Sequence, residues 1–472
     1  MNLDFSKKYK FDRDFEVLKR ENNYLYVDYE NVNWFRTNNT GHEIITLCDG
    51  ERTMEEVLTK IADIYQFDVN FLKRNFEGFI KDAIENRLLL EADSEKERLV
   101  EYSEDKKIGT LWIHVSSLCN LECPFCYSRS GSGQNQKLET DDIVKFLDSI
   151  EEDKRSQISI VISGGEPFLY KDLPKLVASI KERGINSIHI ITNGTVGEEM
   201  YEEVIPLIES IQISVDGTIP EYHDITRGKG SFEKMINKFK LIRNISQNVG
   251  IVISFTPTKY NIDDMPNIPQ FAFDNNINAI HLTRLMPVGR GKDNMEHIVP
   301  ETKVYEEKLG DFLANYQRVN ALVNIKRETQ EILLDESQKT KFIALSFAGD
   351  QSRKVTYRSK KTICGAGLGS MSINYDGYIY PCASLHLKEY SLGHIKENSI
   401  EEIFDNTINF MGTYCVDKKP GCKVCKLKYF CGGGCMSCGL SHTGDLLGSD
   451  PMCDYYKEAM IEVMWQYRMQ KS

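Results

Sequence analysis

The sequence has no long apolar run. Across its 472 residues, no uncharged apolar stretch approaches the roughly 18 residues that a membrane-spanning helix needs. Its first eight residues, MNLDFSKK, also lack the apolar segment of a secretory signal. We therefore expect a cytoplasmic protein with no membrane partner.

Basic residues are in short supply relative to acidic ones. The chain has 58 Lys and Arg against 70 Asp and Glu, a formal net charge of −12. Nucleic acids and anionic membranes select basic surfaces, so this balance argues against both as partners. The hydrophobic fraction of 41% is sufficient for the cores of two or three domains.

Cysteine, by contrast, is abundant, with 13 residues. A reducing cytoplasm does not maintain disulfides, so clustering of the cysteines indicates metal binding. Only Cys48 stands alone; it lies among Ile44, Ile45 and Leu47, and we predict that it is a buried structural thiol. The other cysteines form a group of three at 119–126 and a group of nine at 364–453, which predicts two metal regions.

Residues 108–290 alternate short β-rich runs with amphipathic stretches of helix length. The pattern predicts a helix at 141–150 capped by Thr140, and strands at 110–115, 158–162, 187–191, 211–215, 251–255 and 279–285. Six such units predict a parallel sheet curled into a barrel or partial barrel, with reactive groups at the carboxyl ends of the strands. The first cysteine group follows the first strand and should therefore lie at that rim.

The first cysteine group has the spacing Cys119-x3-Cys123-x2-Cys126, with Phe125 just before the third cysteine. Three thiolates leave one iron of a four-iron cluster without a protein ligand, whereas structural zinc prefers four ligands in paired CxxC groups. The segment resembles the signature of radical S-adenosylmethionine (SAM) enzymes. The resemblance implies that these cysteines hold a [4Fe-4S] cluster, that SAM completes it, and that Phe125 is a cofactor contact.

A second match follows the second predicted strand. Gly164, Gly165, Glu166 and Pro167 resemble the Gly-Gly-Glu-Pro element of the same enzymes, which implies binding of the methionine amino group of SAM. Two glycines allow close backbone approach, and a carboxylate can accept a charge-assisted hydrogen bond from an ammonium group. The same tetrapeptide in isolation would be an ordinary strand-to-helix turn.

Further candidate cofactor contacts follow the third and fourth strands. By resemblance, Asn193 meets the ribose or adenine, while Ser214, Asp216 and Arg227 hold the ribose and the methionine carboxylate. Asn-Gly and Asp-Gly pairs are also common turn formers, so a purely structural role stays open for these positions.

The second cysteine group resembles the seven-cysteine extension called SPASM, which binds two auxiliary four-iron clusters. The resemblance assigns the first auxiliary cluster to Cys364, Cys382 and Cys435, and the second to Cys422, Cys425, Cys431 and Cys453. Residues 432–434, all glycine, give backbone room around a cluster, and Asp376-Gly377 predicts a hairpin that brings Cys364 and Cys382 together. A zinc ribbon is the alternative, since CxxC pairs also serve zinc.

Two cysteines lie outside the seven positions. Cys415 or Cys438 could be the fourth ligand of the first auxiliary cluster, or either could be a structural thiol. If neither binds, the open iron could bind a substrate thiolate.

The N-terminal segment suggests what the substrate is. Strands are predicted at 24–27 and 32–35, and helices at 41–47, 54–65 and 70–89, with Thr53 and Glu56 spaced as a capping box. This winged-helix-like pattern resembles the recognition domain of enzymes that modify ribosomally made peptides. The resemblance implies that a leader peptide adds a strand to the sheet edge and packs against the third helix. A DNA-binding winged helix is the alternative, but no basic recognition helix is present.

Together these patterns predict an α/β chain built around a partial (β/α)6 TIM-like radical SAM barrel. The predicted parts are a winged-helix-like leader-recognition domain at 1–95, a linker at 96–107, the barrel at 108–290, a bridging region at 291–360 and the cysteine-rich SPASM domain at 361–472.

The overall resemblance is to radical SAM/SPASM peptide maturases, and within them to enzymes that install thioether crosslinks in sactipeptides or ranthipeptides. It implies SAM and three [4Fe-4S] clusters as cofactors, with a precursor peptide and a reductant such as flavodoxin or ferredoxin as partners. A 5′-deoxyadenosyl radical from SAM would remove hydrogen from a peptide carbon, a cysteine sulfur would bond to that carbon, and an auxiliary cluster would accept the remaining electron. No side chain of the protein needs to act as a nucleophile.

Other functions share many of these motifs. A peptide maturase that forms carbon–carbon bonds would carry all of them, and an anaerobic sulfatase maturase that forms formylglycine would carry most. The leader-recognition pattern argues against the latter. A non-catalytic iron–sulfur electron carrier or scaffold is disfavoured because the cysteine triad and residues 164–167 are both intact.

Overall fold

The computed structural model of the chain describes residues 3–94, 108–330, 344–347, 365–367 and 369–466. These residues form an N-terminal domain, a large mostly parallel sheet covered by helices, and a C-terminal cysteine-rich region that extends the same sheet. Among the described helices, none combines the length and the apolar character needed to cross a bilayer.

The N-terminal domain has six strands and three helices. Its elements are β1 (Lys8–Phe11), β2 (Glu16–Arg20), β3 (Asn23–Asp28), β4 (Asn33–Asn38), α1 (Asn39–Leu47), β5 (Asp49–Thr53), α2 (Met54–Tyr65), α3 (Val69–Glu85) and β6 (Leu89–Glu91). The strands form two antiparallel sheets with the orders β5-β1-β6 and β2-β3-β4. The predicted capping box is confirmed, because Thr53 Oγ1 accepts from the Glu56 amide and Glu56 Oε2 accepts from the Thr53 amide.

The predicted end of the third helix needs correction, and four strands of this domain were not predicted. The third helix does not reach residue 89: it ends at Glu85, Arg87 takes a left-handed φ of 56°, and Leu89 begins a strand that pairs with β1. In addition, the sequence pattern did not predict β1, β2, β5 or β6. β1, β2 and β5 are short and rich in charged residues, and β6 has only three residues, so their pairing within the folded domain stabilises them more than any local alternation does. The prediction for Cys48 is confirmed, since it is 2% exposed and its thiol donates to the Ile44 carbonyl.

The barrel contains the six predicted parallel strands. They are β7 (Thr110–His114), β8 (Ser159–Ser163), β9 (Ile188–Thr192), β10 (Ser210–Ser214), β11 (Gly250–Phe255) and β12 (Ala279–Leu282). They pair in chain order, so all of their carboxyl ends lie at one rim. Alternate positions such as Leu111, Ile160 and Ile211 are fully buried in the main apolar cluster, while the residues between them are only partly buried.

Nine helices of the described chain follow these strands. They are α4 (Thr140–Asp148), α5 (Glu152–Arg155), α6 (Leu173–Glu182), α7 (Glu198–Val204), α8 (Pro220–Arg227), α9 (Ser231–Ile245), α10 (Ile268–Asp274), α11 (Arg290–Asp293) and α12 (Met295–Ile298). The prediction that Thr140 caps α4 is wrong. Glu139 occupies the cap position without a side-chain cap bond, and the Thr140 hydroxyl instead lies 2.7 Å from the buried Tyr170 hydroxyl.

The sheet continues beyond the six predicted strands at both edges. After the long helix α13 (Thr302–Gln330), β13 (Ala344–Phe347) pairs in parallel with β12. At the opposite edge, β14 (Ser370–Ile373) pairs in parallel with β7, followed by β15 (Tyr378–Tyr380) and β16 (Gly393–His394). The hairpin predicted at Asp376-Gly377 is confirmed, since β14 and β15 are antiparallel and Gly377 has a φ of 82°. Cys364, its expected partner for Cys382, lies outside the described residues.

The remaining helices are short except for two. They are α14 (Ile400–Thr413), α15 (Lys428–Cys431), α16 (Met436–Thr443) and α17 (Cys453–Gln466). The sheet β2-β3-β4 packs one face against this region. The apolar cluster between them contains Leu25, Val27, Val32, Leu427, Phe430, Met464 and Trp465.

Candidate active site and metal centres

The loop after β7 holds the first cysteine group. Cys123 is buried, Cys119 and Cys126 are partly buried, and all three are free thiols. The Leu121 amide donates to Cys119 Sγ at 3.5 Å, and Asn193 Nδ2 lies 3.9 Å from the same sulfur. Burial raises the pKa of Cys119 to about 12 and also raises that of Cys123. A thiolate here therefore needs a neighbouring positive charge, which the irons of a cluster would supply, and the donor set fits such a group.

The loop after β8 lies directly against this cysteine loop. The Gly165 amide donates to the Ser116 carbonyl at 2.7 Å and the Glu166 amide to the Leu118 carbonyl at 2.8 Å. A Cβ on Gly164 would stand 2.5 Å from the Ser116 oxygen, and a Cβ on Gly165 would overlap the Leu118 oxygen. The two glycines are therefore required for contact with the cysteine loop itself.

Glu166 is 1% exposed and is turned toward the loop after β9. Its carboxylate accepts from Thr192 Oγ1 at 2.7 Å, from the Asn193 amide at 2.8 Å and from the Phe168 amide at 3.1 Å. Burial raises its pKa, while these donors oppose the increase. Thus the predicted contacts Glu166 and Asn193 lie together, and Thr192, which the sequence did not single out, joins them.

The fourth rim position contains an ion pair. Asp216 is fully buried and accepts from the Arg227 Nε and from Thr226 Oγ1. The Arg227 guanidinium lies 5.6 Å from the centre of the Phe125 ring, and its charge opposes the increase in the pKa of Cys123. The structure therefore brings Phe125, Asp216 and Arg227 together beside Cys123. Ser214 ends β10 on the same rim and is only partly buried.

Arg290 was not identified from the sequence. It nevertheless makes more hydrogen bonds to the cysteine loop than any residue that the sequence did predict. Its backbone amide donates to the Cys126 carbonyl at 2.9 Å, its Nε to the Cys123 carbonyl at 2.9 Å and its Nη1 to the Ser130 carbonyl at 2.8 Å. Asn294 Nδ2 adds a bond to the Pro124 carbonyl. The only sequence signal was an arginine between two glycines, Gly289 and Gly291, and that pattern indicates no particular partner.

The two cysteine regions lie near each other. The Tyr127 hydroxyl is 3.3 Å from His114 Nε2, and the thiols of both Cys126 and Cys382 are close enough to contribute to the increase in the pKa of Tyr127, which burial dominates. The His114 and His386 rings are 4.7 Å apart. His114 is fully buried, and burial lowers its pKa to about 4, so both its charge state and its position are set by packing.

The C-terminal cysteines lie around a triple-glycine turn. Residues Gly432, Gly433 and Gly434 have φ values of 66°, 84° and 74°, which side chains other than glycine rarely adopt. The Gly434 amide donates to Cys431 Sγ at 3.1 Å, and the Cys435 amide donates to Asp450 Oδ2 at 2.9 Å. Amide donors directed at a cysteine sulfur are a typical feature of iron–sulfur sites.

Cys438 differs from Cys415 in its surroundings. It is fully buried, its proximity lowers the pKa of Cys435, and its Sγ lies 3.8 Å from Met286 Sδ. Cys415 is only partly buried, ahead of the turn at 416–418. Within the described residues, no three or more His, Cys, Asp or Glu side chains converge as a single metal ion would require.

Comparison with protein families identifies three parts of the chain. Residues 113–272 match the radical SAM superfamily, residues 364–426 match the iron–sulfur cluster-binding domain SPASM, and residues 24–89 match coenzyme PQQ synthesis protein D (PqqD). The chain thus carries a PqqD-like domain, a radical SAM domain and a SPASM domain in that order. Radical SAM and SPASM domains imply binding of SAM and of [4Fe-4S] clusters.

Individual relatives include a bacteriocin biosynthesis protein and a porphyrin synthase. The chain is 24% identical over 471 residues to the subtilosin biosynthesis protein AlbA of Bacillus subtilis, covering 94% of each chain. It is 25% identical over 390 residues to the Fe-coproporphyrin III synthase of Methanosarcina barkeri, covering 78% of this chain and 93% of that one. Streptococcus suis SuiB bound to SAM has the same fold, with a TM-score of 0.53, 16% identity and coverage of 94% and 99% of the two chains.

Proposed function

We propose that the protein is a radical SAM enzyme that installs thioether crosslinks in a ribosomally made precursor peptide. The observation that supports a peptide substrate is the PqqD-like domain, which lies in the same chain as the radical SAM domain. Alignment with AlbA, a bacteriocin biosynthesis protein, over 94% of each chain supports a peptide rather than a small-molecule substrate.

The N-terminal domain, which we infer to be a winged-helix-like leader-recognition unit, has a suitable surface. Within the described chain β4 pairs only with β3, so its other edge can accept a peptide strand. Beside that edge, the Phe35 ring on β4 lies 5.6 Å from Phe79 on α3, and Phe79 lies 6.1 Å from Phe76. These partly buried rings would receive apolar side chains of a leader, while the edge would bind its backbone.

The residues of the barrel rim would bind SAM and exclude water. We assign the first cluster to Cys119, Cys123 and Cys126, and SAM contacts to Phe125, Glu166, Asn193, Ser214, Asp216 and Arg227, with Gly164, Gly165 and Pro167 shaping the same loops. When bound, the cluster supplies the electron that cleaves SAM to methionine and a 5′-deoxyadenosyl radical. The Glu166 and Asp216 networks would fix the loops around SAM before the reaction.

We assign the two auxiliary clusters to the SPASM cysteines, in the sets predicted from the sequence. The peptide loses one hydrogen atom to the radical, then one proton and one electron as sulfur bonds to carbon, so the reaction needs an electron acceptor. We propose that the acceptor is the auxiliary cluster at Cys382. This cysteine is near the first cluster, because Tyr127 lies close to both Cys126 and Cys382. We also propose that the protein works in a reducing cytoplasm and receives electrons from a reductant such as flavodoxin or ferredoxin.

The test uses the full-length, anaerobically reconstituted protein with SAM, a reductant and the cysteine-containing peptide encoded nearest to its gene. The peptide is weighed before and after alkylation of free thiols. A loss of two hydrogens per crosslink with cysteines protected from alkylation, even after disulfides have been reduced, would establish thioether formation. The same loss with cysteines still alkylated would indicate a carbon–carbon bond, and loss of a cysteine sulfur would indicate formylglycine.

Two controls accompany this test. The same peptide without its leader should be modified more slowly if the N-terminal domain recognises the leader. An unmodified peptide in a reaction that produces 5′-deoxyadenosine would contradict the peptide-maturase proposal, provided that the other encoded peptides behave in the same way.

A further inference from the structure

The C-terminal region contains a lysine that is completely buried. Lys419 is 0% exposed and lies between the turns at 416–418 and 420–422. Its Nζ donates to the Gly433 carbonyl at 2.7 Å and lies 5.5 Å from the centre of the Tyr414 ring. No carboxylate forms an ion pair with it in the part of the chain that the structure describes. Burying an ammonium group whose partners are only a carbonyl and a ring is unfavourable, so a nearby negative charge would stabilise it.

The missing counter-charge lies in the adjacent cysteine group. The Lys419 carbonyl accepts from the Cys422 amide at 3.0 Å, so the lysine is adjacent to this cysteine group. Four thiolates outweigh the positive charge of a four-iron core, so a cluster at Cys422, Cys425, Cys431 and Cys453 would be anionic. It would become more anionic on reduction.

Lys419 also fixes the turn that covers this group. Tyr414 donates to the Gly432 carbonyl at 3.1 Å and Lys419 donates to the Gly433 carbonyl, so both carbonyls are held on the lysine side of the turn. The following amide, that of Gly434, donates to Cys431 Sγ at 3.1 Å. A Cβ on Gly433 would lie 2.7 Å from Lys419 Cδ, which shows how closely the turn and the lysine pack.

We propose that Lys419 is the buried counter-charge of the second auxiliary cluster and raises its reduction potential, both by its own charge and by holding the Gly434 amide against the Cys431 sulfur. The inference rests on the proposed auxiliary clusters and deepens that assignment. Net charge and hydrogen bonds to sulfur are the two means by which a protein sets such a potential. A higher potential would let this second cluster receive an electron that enters at the Cys382 region during peptide oxidation.

The experiment measures cluster potentials in the full-length reconstituted protein by redox titration followed by electron paramagnetic resonance, together with iron content. The variant Lys419→Met removes the charge at nearly constant length. We expect it to bind the same amount of iron, with one cluster potential shifted to more negative values and the others unchanged. Lys418→Met, which changes the exposed neighbouring lysine, is the matched control and should leave every potential unchanged. Unchanged potentials in a fully loaded Lys419→Met protein would overturn the proposal.

Further variants separate the charge from the anchoring of the turn. Lys419→Gln can still donate to Gly433 but carries no charge, so the negative shift should persist; a potential equal to wild type would contradict the role of the charge. Tyr414→Phe keeps the charge and should cause the smaller shift. If Lys419→Met and Lys419→Gln both lose iron, a normal iron content in Lys419→Arg supports the counter-charge, whereas loss of iron in Lys419→Arg as well overturns it. Wild-type protein with iron at Cys119, Cys123 and Cys126 alone would instead contradict the auxiliary clusters themselves.

Discussion

The Glu166 carboxylate connects the loop after β8 to the loop after β9 by hydrogen bonds. It accepts from the amides of Asn193 and Phe168 and from the Thr192 hydroxyl, and it is almost inaccessible to solvent. Three of the roughly four acceptor positions of a carboxylate are therefore used within the protein. The remaining position is the one that an ammonium group of SAM could use.

Replacing this carboxylate with an amide should weaken SAM binding. In Glu166→Gln, the amide NH2 group faces backbone N–H donors, so at least one hydrogen bond to Asn193 or Phe168 is lost along with the negative charge. We expect the dissociation constant for SAM to rise by about tenfold to a hundredfold, as loss of a charge-assisted hydrogen bond predicts. Isothermal titration calorimetry on the reconstituted protein measures the change.

The control for this change is Glu199→Gln on the exposed first turn of α7. It removes the same charge at a solvated position and should leave SAM affinity within about twofold of wild type, because surface substitutions have small effects. Equal affinities in the Glu166 and Glu199 variants would show that Glu166 does not shape the SAM site.

The sequence predicts the identities of site residues better than it predicts their partners. Asp216 and Arg227 were selected as separate contacts, but the structure joins them in one buried ion pair beside Phe125. Arg290 was missed because its role depends on three carbonyls of a loop some 160 residues earlier in the chain. Contacts between residues that are distant in the chain arise only in the folded protein, so no local sequence pattern predicts them.

At the scale of elements, α15 connects the N-terminal sheet to the second auxiliary cysteines. Phe430, next to Cys431, is 8% exposed, and its ring lies 6.2 Å from Tyr29 and 6.1 Å from Trp34. Lys426, just before α15, also pairs with Glu16 at 2.6 Å, although an exposed ion pair of this kind adds little to stability. Apolar side chains therefore form one part of the contact between the two regions, and Arg20 pairs with the buried Glu462 beside them.

Truncating Phe430 should loosen the N-terminal domain. In Phe430→Ala, loss of the buried ring should reduce the free energy of unfolding by about 3 kcal/mol and speed hydrogen exchange in β3 and β4. Differential scanning calorimetry and exchange mass spectrometry measure the two effects. Phe430→Leu, which retains most of the apolar volume, should cost less than about 1.5 kcal/mol. If exchange in β3 and β4 is unchanged in Phe430→Ala, that apolar contact does not hold the domain.

This packing also bears on how leader recognition should be tested. Removal of the whole N-terminal domain would expose Leu427, Phe430 and Trp465 to solvent, so a truncated protein would combine loss of recognition with loss of stability. A leaderless peptide on the intact enzyme separates these effects.

The elements themselves were predictable where hydrophobic periodicity was strong. The barrel strands and helix α2 follow clear patterns, so their positions were predicted to within a few residues. By contrast, β1 and β5 are charged and short, and β13 and β14 join the sheet only through partners far away in the chain. No local pattern encodes such pairings.

At the scale of the whole molecule, the first cysteine group follows β7, whereas Cys382 follows β15 and the later C-terminal cysteines lie beyond the last strand of the same sheet. If the proposed assignment of three clusters is right, replacing Cys119, Cys123 and Cys126 together with alanine should remove about four of about twelve irons and abolish formation of 5′-deoxyadenosine, since the proposal assigns the cluster that SAM completes to these residues alone. Iron analysis and chromatography of the reaction mixture measure both quantities.

Cys48→Ala serves as the control, because this buried thiol bonds only to its own helix and should leave the iron content unchanged. A triple variant that still produces 5′-deoxyadenosine would refute the assignment of the first cluster, and one that loses nearly all its iron would indicate that the auxiliary sites depend on the first.

The pairing of β14 with β7 has a consequence for synthesis on the ribosome. Thr110 of β7 pairs with Ser370, which is made 260 residues later. At roughly 5 to 20 residues per second, one edge of the first barrel strand waits on the order of tens of seconds for its neighbour. Throughout that interval the nascent chain presents an unpaired strand, which is a template for aggregation. The yield of folded protein should therefore depend on how quickly translation proceeds through the region between the barrel and the C-terminal cysteines.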